Sequence, residues 1–113
     1  MDIKQKDQGD ITILSLNGRL DLESSTRLKS ETDSLITDRH NKLIFDFKGV
    51  NFINSSGLGA LVSILKNVNS CSGKVILTGL APYVKEVFEI TQLSNIFEIY
   101  KDERQAMNKL KSM

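Results

Sequence analysis

The run Leu43-Ile44-Phe45-Asp46-Phe47 constrains this chain more than any other stretch. It is nearly continuous in apolar residues and too short for a typical helix, which is the pattern of a central strand covered on both faces. Such a strand needs a layer on each side of its sheet, and the flanking sequence supplies the parts. Ile11-Thr12-Ile13-Leu14-Ser15-Leu16 is β-branched and partly alternating, with Asn17-Gly18 reading as the turn that closes it. Ile3-Lys4-Gln5-Lys6, ahead of Gln8-Gly9-Asp10, reads as its hairpin partner. From Ser24 to about Thr37, Ser25, Leu28, Thr32, Leu35 and Ile36 recur at helical spacing.

Beyond the central run, Gly57, Leu58, Leu61, Ile64, Leu65 and Val68 keep steps of three and four, the clearest helical periodicity in the chain. Lys74 to Gly79 reads as a strand entered from Ser72-Gly73. Pro82 suits the first turn of a helix carrying Tyr83, Val87, Phe88 and, at its end, Ile90. Ile96 to Tyr100 reads as a short strand, and a last helix from about Asp102 turns Ala106, Met107 and Leu110 inward. The order β-β-α-β-α-β-α-β-α predicts an α/β fold around a sheet that is parallel after its opening hairpin.

Composition narrows the function classes. A length of 113 residues predicts one domain, 1–113, and an apolar fraction of 40% supports a real core without staples. Fifteen basic residues against fourteen acidic ones leave a net charge of +1, so no overall field holds nucleic acid or an anionic membrane. One cysteine, Cys71, and one histidine, His40, make neither an internal disulfide nor the usual Cys/His zinc site. Neither an apolar leader nor a membrane-spanning run is legible, and the cytoplasm is the expected location. No cofactor is expected.

One stretch departs from plain core-and-surface logic. Val50-Asn51-Phe52-Ile53-Asn54-Ser55-Ser56-Gly57-Leu58-Gly59 reads as the connection from the strand ending at Phe47 to the most regular helix. Small and polar residues at a strand-to-helix junction expose backbone N–H groups at the positive end of a helix dipole. Asn54 or Ser55 can cap those amides, and Gly57 and Gly59 leave the surface uncluttered. With about 100° per residue, Ser55, Gly59, Val62 and Lys66 share one edge of the helix away from the apolar stripe. A hydroxyl, a bare glycine, a valine and a cation in that order form a docking strip for another protein. A phosphate on Ser55 would sit beside free helix amides, changing the surface without melting the domain. The same Asn-Ser-Ser-Gly pattern is also what a plain N-cap looks like, and the residues alone leave both readings open.

Other chemistry is poorly supported. A dinucleotide fingerprint would need glycine where Val62 stands, and the P-loop lysine is missing after Gly59. His40, in Asp38-Arg39-His40-Asn41, reads as a solvated loop residue, and no Gly-x-Ser-x-Gly elbow accompanies Ser55, so an enzyme is not expected. Asp46 reads either as a buried functional carboxylate or as a hydrogen-bonded structural group. Cys71 reads as an incidental loop thiol, and Lys109 and Lys111 as the solvated end of a helix.

Phe45-Asp46-Phe47, Val50, Phe52-Ile53-Asn54-Ser55-Ser56-Gly57-Leu58-Gly59 and Leu61 together resemble the signature of STAS domains, in particular the stand-alone anti-sigma factor antagonists. Leu16-Asn17-Gly18-Arg19-Leu20-Asp21 resembles that family's turn after the second strand, and Gly79-Leu80 through Val87-Phe88, Leu93 and Ile96-Phe97 resembles its C-terminal half. The resemblance implies a single domain with a mixed sheet and helices packed mainly on one face. It implies that Ser55 is phosphorylated by a partner that is both serine kinase and anti-sigma factor, that the unphosphorylated form binds this partner and releases a sigma factor, and that a metal-dependent serine/threonine phosphatase resets the cycle. It places Asp21, Asn54, Ser56, Gly57, Leu58 and Gly59 near the contact surface, with Val62 and Lys66 added by the helical wheel. The family usually carries aspartate where Asn54 stands. Asparagine keeps the cap and removes a charge, which leaves open a subunit of a scaffold or transporter complex that binds without being switched. A small-molecule or nucleotide binder using the amides from Ser55 to Gly59 is the remaining alternative.

Overall fold

The computed structural model describes residues 1–112, and the last position of the expected domain, Met113, lies outside the described residues. In chain order the elements are β1 (Asp2–Gln8), β2 (Ile11–Leu20), α1 (Leu22–Thr37), β3 (Lys42–Ile53), α2 (Ser55–Ser70), β4 (Lys74–Thr78), α3 (Pro82–Ile90), a 3₁₀ turn (Leu93–Asn95), β5 (Glu98–Tyr100) and α4 (Glu103–Lys111). The strands form one sheet in the order β1-β2-β3-β4-β5, antiparallel between β1 and β2 and parallel thereafter.

Strand alternation splits the apolar residues between two layers. Leu14 and Leu16 of β2, Phe45 and Phe47 of β3, and Val75 and Leu77 of β4 face the main core, filled from above by α1, α2 and α3. Ile11, Ile13, Ile44 and Ile76 point the other way and are covered by Ala106, Met107 and Leu110 of α4. The unbroken apolar run in β3 is thus the consequence of burial on both faces, and removing each such side chain from water contributes about 1.5–3 kcal/mol. The mixed sheet with helices mainly on one face is the architecture expected.

Four expectations about the strands and helices need correction. First, β2 does not end at Leu16. Asn17-Gly18 lies inside the strand, which continues to Leu20 through two register shifts against β3, between Ser15 and Asn17 and between Gly18 and Arg19. The glycine, at φ 114°, keeps the strand going opposite the extra residues, which are carried by β3, instead of closing it with a turn. Second, β3 runs on to Ile53, because β2 remains paired with it after β4 stops opposite Asp46. Lys48-Gly49 interrupts the apolar run without ending the strand, and glycine suits position 49 because a Cβ would lie 2.9 Å from the Leu16 carbonyl oxygen and would also displace the Asn17 side chain. Third, α3 turns Val84 and Phe88 inward, whereas Tyr83 and Ile90 are 51% and 73% exposed. Phe88 sits edge-on between Phe47 and Phe97, and this aromatic packing sets the rotation of the helix. Fourth, β5 begins at Glu98, because Leu93–Asn95 forms the 3₁₀ turn and Ile96 is left 52% exposed.

His40 also differs from expectation. It is half-buried, and its Nδ1 lies 2.9 Å from the Oγ1 of Thr12, so it closes the α1–β3 connection onto β2.

Candidate functional site: the tip shared by two helix starts

Past the end of β4, β2 and β3 run on together, with Asn17, still paired to Asp2 of β1, opposite Gly49; beyond β1 they continue as a two-stranded ribbon, with Gly18 opposite Val50, Arg19 opposite Phe52 and Leu20 opposite Ile53. Leu20, Val50 and Ile53 face the main core and hold the ribbon to the domain. Each strand then turns at once into a helix, so α1 and α2 start side by side at the same tip. The Asn54 N–H donates to the carbonyl of Leu20 at 3.4 Å and ties the two starts together.

Both helices are capped by the residue just outside them. Asp21 takes the Ser24 N–H on Oδ1 at 3.2 Å, while its own N–H donates to Ser24 Oγ at 2.9 Å, completing a reciprocal capping box. The Ser24 hydroxyl in turn reaches the carbonyl of Arg19 at 2.6 Å. Hydrogen bonds from the Ser24 amide and then its hydroxyl, with a smaller contribution from the Arg19 charge, hold the Asp21 carboxyl below its ordinary range. At α2 the cap is Asn54, whose Oδ1 accepts the Gly57 N–H at 3.1 Å.

This division of labour leaves Ser55 uncommitted. It is the first residue of α2, it is exposed, and no hydrogen bond engages its side chain among the described residues. The N–H groups of Ser55 and Ser56 have no intrahelical acceptor and lie at the positive end of the α2 dipole. No acidic residue occupies the first turn of α2, so nothing in that turn opposes an added negative charge.

A family model describing the STAS domain matches residues 2–106. The chain belongs to the STAS domain family. Its curated relatives include the anti-sigma F factor antagonist of Paenibacillus polymyxa, 26% identical over 111 residues, which span 97% of this chain and 95% of that protein. Among solved structures, a Thermotoga maritima candidate anti-sigma factor antagonist superposes with a TM-score of 0.91 at 29% identity, covering 96% of this chain and 94% of the other. SpoIIAA, an anti-sigma factor antagonist, shares the fold in its unphosphorylated form with a TM-score of 0.79 at 18% identity, covering 99% of this chain and 100% of the other. In its phosphorylated form the TM-score is 0.75 at 19% identity, covering 96% and 99%.

Within this STAS domain the expected contact residues do not all reach the surface. Ser55, Gly59 and Lys66 are exposed, and a Cβ on Gly59 would meet nothing within 4 Å. Asp21, Asn54 and Ser56 are half-buried around the tip. Val62 is half-buried with its side chain packed on the margin of the main core, as is that of Leu58. Gly57 is the correction: it is buried, and a Cβ there would lie 2.5 Å from the carbonyl oxygen of Leu20. Its role is to let α2 settle against the ribbon, not to clear space for a partner. Asp46 takes the structural alternative, accepting the Lys48 N–H at 2.9 Å with little exposure.

Arg19 and Phe52 were not singled out as site residues from the sequence, yet the ribbon brings them together with the guanidinium carbon 3.8 Å from the ring centroid. The signal was present as strand alternation on either side of the bulge, but the expected turn at Asn17-Gly18 concealed it. Two further features are neutral to this site. No group of three or more His, Cys, Asp or Glu side chains converges among the described residues, and no described helix is long and apolar enough to cross a membrane.

Proposed function

We propose that this STAS domain is an anti-sigma factor antagonist that binds an anti-sigma factor with serine kinase activity through the tip around Ser55 and is released when Ser55 is phosphorylated. The observation that carries the reading is the exposed, uncommitted hydroxyl of Ser55 at a helix start whose cap is supplied by its neighbour Asn54. Capping by Asn54 means that the hydroxyl can enter a kinase without uncoiling α2. A phosphate there adds about −2 charge beside free helix amides, so the domain keeps its fold while the contact surface changes sign and gains bulk. The relatives named anti-sigma factor antagonists, and the existence of SpoIIAA in both unphosphorylated and phosphorylated forms, support the same cycle. The chain then acts in the cytoplasm as a binding protein rather than an enzyme, with a serine/threonine phosphatase to reset it.

A second reading is favoured by one observation, the neutral side chain at Asn54. If the kinase orients the hydroxyl through a neighbouring carboxylate, this domain binds its partner without being switched, as a subunit of a larger assembly. Phosphosite mapping on the protein from its own cells separates the two. The switch predicts phosphate on Ser55 with an occupancy that changes between growth and stress. It also predicts that Ser55→Asp weakens binding to the purified anti-sigma factor at least tenfold while Ser55→Ala binds as the wild type does. Absence of phosphate in every condition, with equal affinities for all three proteins, would establish the constitutive reading.

A further inference from the structure

The ribbon has a face that no helix covers. Leu20 and Ile53 occupy its core side, so alternation sends their neighbours Arg19 and Phe52, which are register partners, to the opposite side of the sheet, and the extra residue of β3 between Val50 and Phe52 lets Val50 face the core as well. That is the side α4 packs against, but α4 covers only the other end, where Ile11, Ile13, Ile44 and Ile76 lie. Phe52 therefore remains half-buried outside both cores, with Arg19 lying over its ring and keeping 60% of its own side chain exposed.

The guanidinium is held but not used up. Its Nε is 4.0 Å from Asp21 Oδ2, a long and exposed pairing of little strength, and no hydrogen bond to Arg19 side-chain nitrogens exists among the described residues. The Asp21 carboxylate is engaged in the α1 capping box. Stacking on an aromatic face restrains an arginine while leaving the in-plane N–H donors at its rim free, which is the preorganised fork that suits a carboxylate. This fork stands on the strand next to the one that leads, three residues after Phe52, into Ser55.

We propose that Arg19, stacked on Phe52, is a second recognition element of this surface and takes a carboxylate of the anti-sigma factor. The inference rests on the antagonist reading and extends it from the α2 edge to the open face of the ribbon. The partner chemistry follows from charge: an exposed cation with free donors, on an aromatic ring and next to neutral Asn17 and Asn51, matches an acidic side chain flanked by apolar contact.

The test is titration calorimetry of the full chain against the purified anti-sigma factor of its own organism, at low and moderate salt, with Ser55→Asp as a parallel arm. Arg19→Gln is expected to weaken binding by about 30-fold or more at low salt and to flatten the salt dependence. Arg19→Lys restores only part of the loss, because the charge returns without the stacked fork. Phe52→Leu weakens binding by several-fold with the arginine still present. Thermal unfolding of Arg19→Gln close to that of wild type excludes a merely structural effect. Wild-type affinity in Arg19→Gln, with Ser55→Asp still disrupting the complex, overturns this inference alone. Undiminished binding by Ser55→Asp together with loss in Arg19→Gln removes the switch and keeps the recognition role. No binding by the wild-type chain removes both.

Discussion

The two ends of the sheet are built to different rules. At one end, β2, β3, β4 and β5 lie side by side and are covered by helices on both faces. At the other, β2 and β3 go on alone, covered on one face and bare on the other, and they deliver Asp21 and Asn54 to the starts of two helices. The covered end supplies most of the stability because it removes the largest side chains from water. The bare end displays the polar and cationic groups because nothing there has to be dry. Separation of this kind would let the proposed phosphorylation and binding take place at the surface without touching the core that holds it.

Breaking the covered end should have the largest effect. Phe45 is fully buried at the centre of β3, and Phe45→Ala is expected to cost about 3–5 kcal/mol, measured by denaturant unfolding. Chemical shifts or exchange at the tip should change little in the fraction that remains folded. The join between the two ends comes next. Gly57→Ala drives a Cβ into the Leu20 carbonyl, which is backbone and cannot swing aside, and should destabilise by about 1–3 kcal/mol while weakening binding through displacement of α2. Gly59→Ala, in open space on the same helix, is the control and should be neutral or slightly stabilising.

At the tip itself, Asn54→Ala removes the α2 cap and should lower stability by about 1 kcal/mol, whereas Asn54→Asp retains the cap and should be at least as stable as the wild type. If the kinase benefits from a carboxylate beside the serine, Asn54→Asp also raises the rate of Ser55 phosphorylation in a timed assay. The smallest effect is pH dependence. Asp21 is held below its ordinary range chiefly by the Ser24 hydrogen bonds, and Asp10 by the hydrogen bond and charge of Lys42. For Glu98, burial pushes upward, but the contact and charge of Lys74 prevail and the net direction is down. All three contribute stability that is fully present above the ordinary carboxylate range and is lost as pH falls through their lowered folded-state values. The thermal midpoint should therefore be flat from about pH 5 to 7 and fall below about pH 4, with a smaller fall in Asp21→Asn. A midpoint that rises on acidification would contradict the assignment of these pairs.

Much of this was legible in the residues because the signals were local. The apolar run at Leu43–Phe47, the three-and-four spacing of Leu58, Leu61, Ile64, Leu65 and Val68, Pro82 at the first turn of α3 and Ala106, Met107 and Leu110 on one face of α4 each have one structural solution at short range. The position of Ser55 at the start of α2 followed from the same kind of signal. Where the reading went astray, a neighbour distant in sequence decided. Asn17-Gly18 has the chemistry of a turn, and it stayed within the strand because β3 lay alongside, taking up the extra residues, to keep it paired. Ile90 is as apolar as Val84 and Tyr83 carries a large apolar ring, and the Phe47–Phe88–Phe97 cluster chose which face of α3 went inward.

By itself the sequence determined the element order, the doubly covered central strand, the STAS signature and the serine at a helix start, because periodicity, capping and turn chemistry are written in adjacent residues. Only the tertiary structure decided that Gly57 is a packing residue, that Asn54 rather than Ser55 is the cap, and that Arg19 rests on Phe52 on an open face. Those outcomes depend on how β2 and β3 register past the end of β4, and register is set by the sum of contacts along both strands rather than by any one segment.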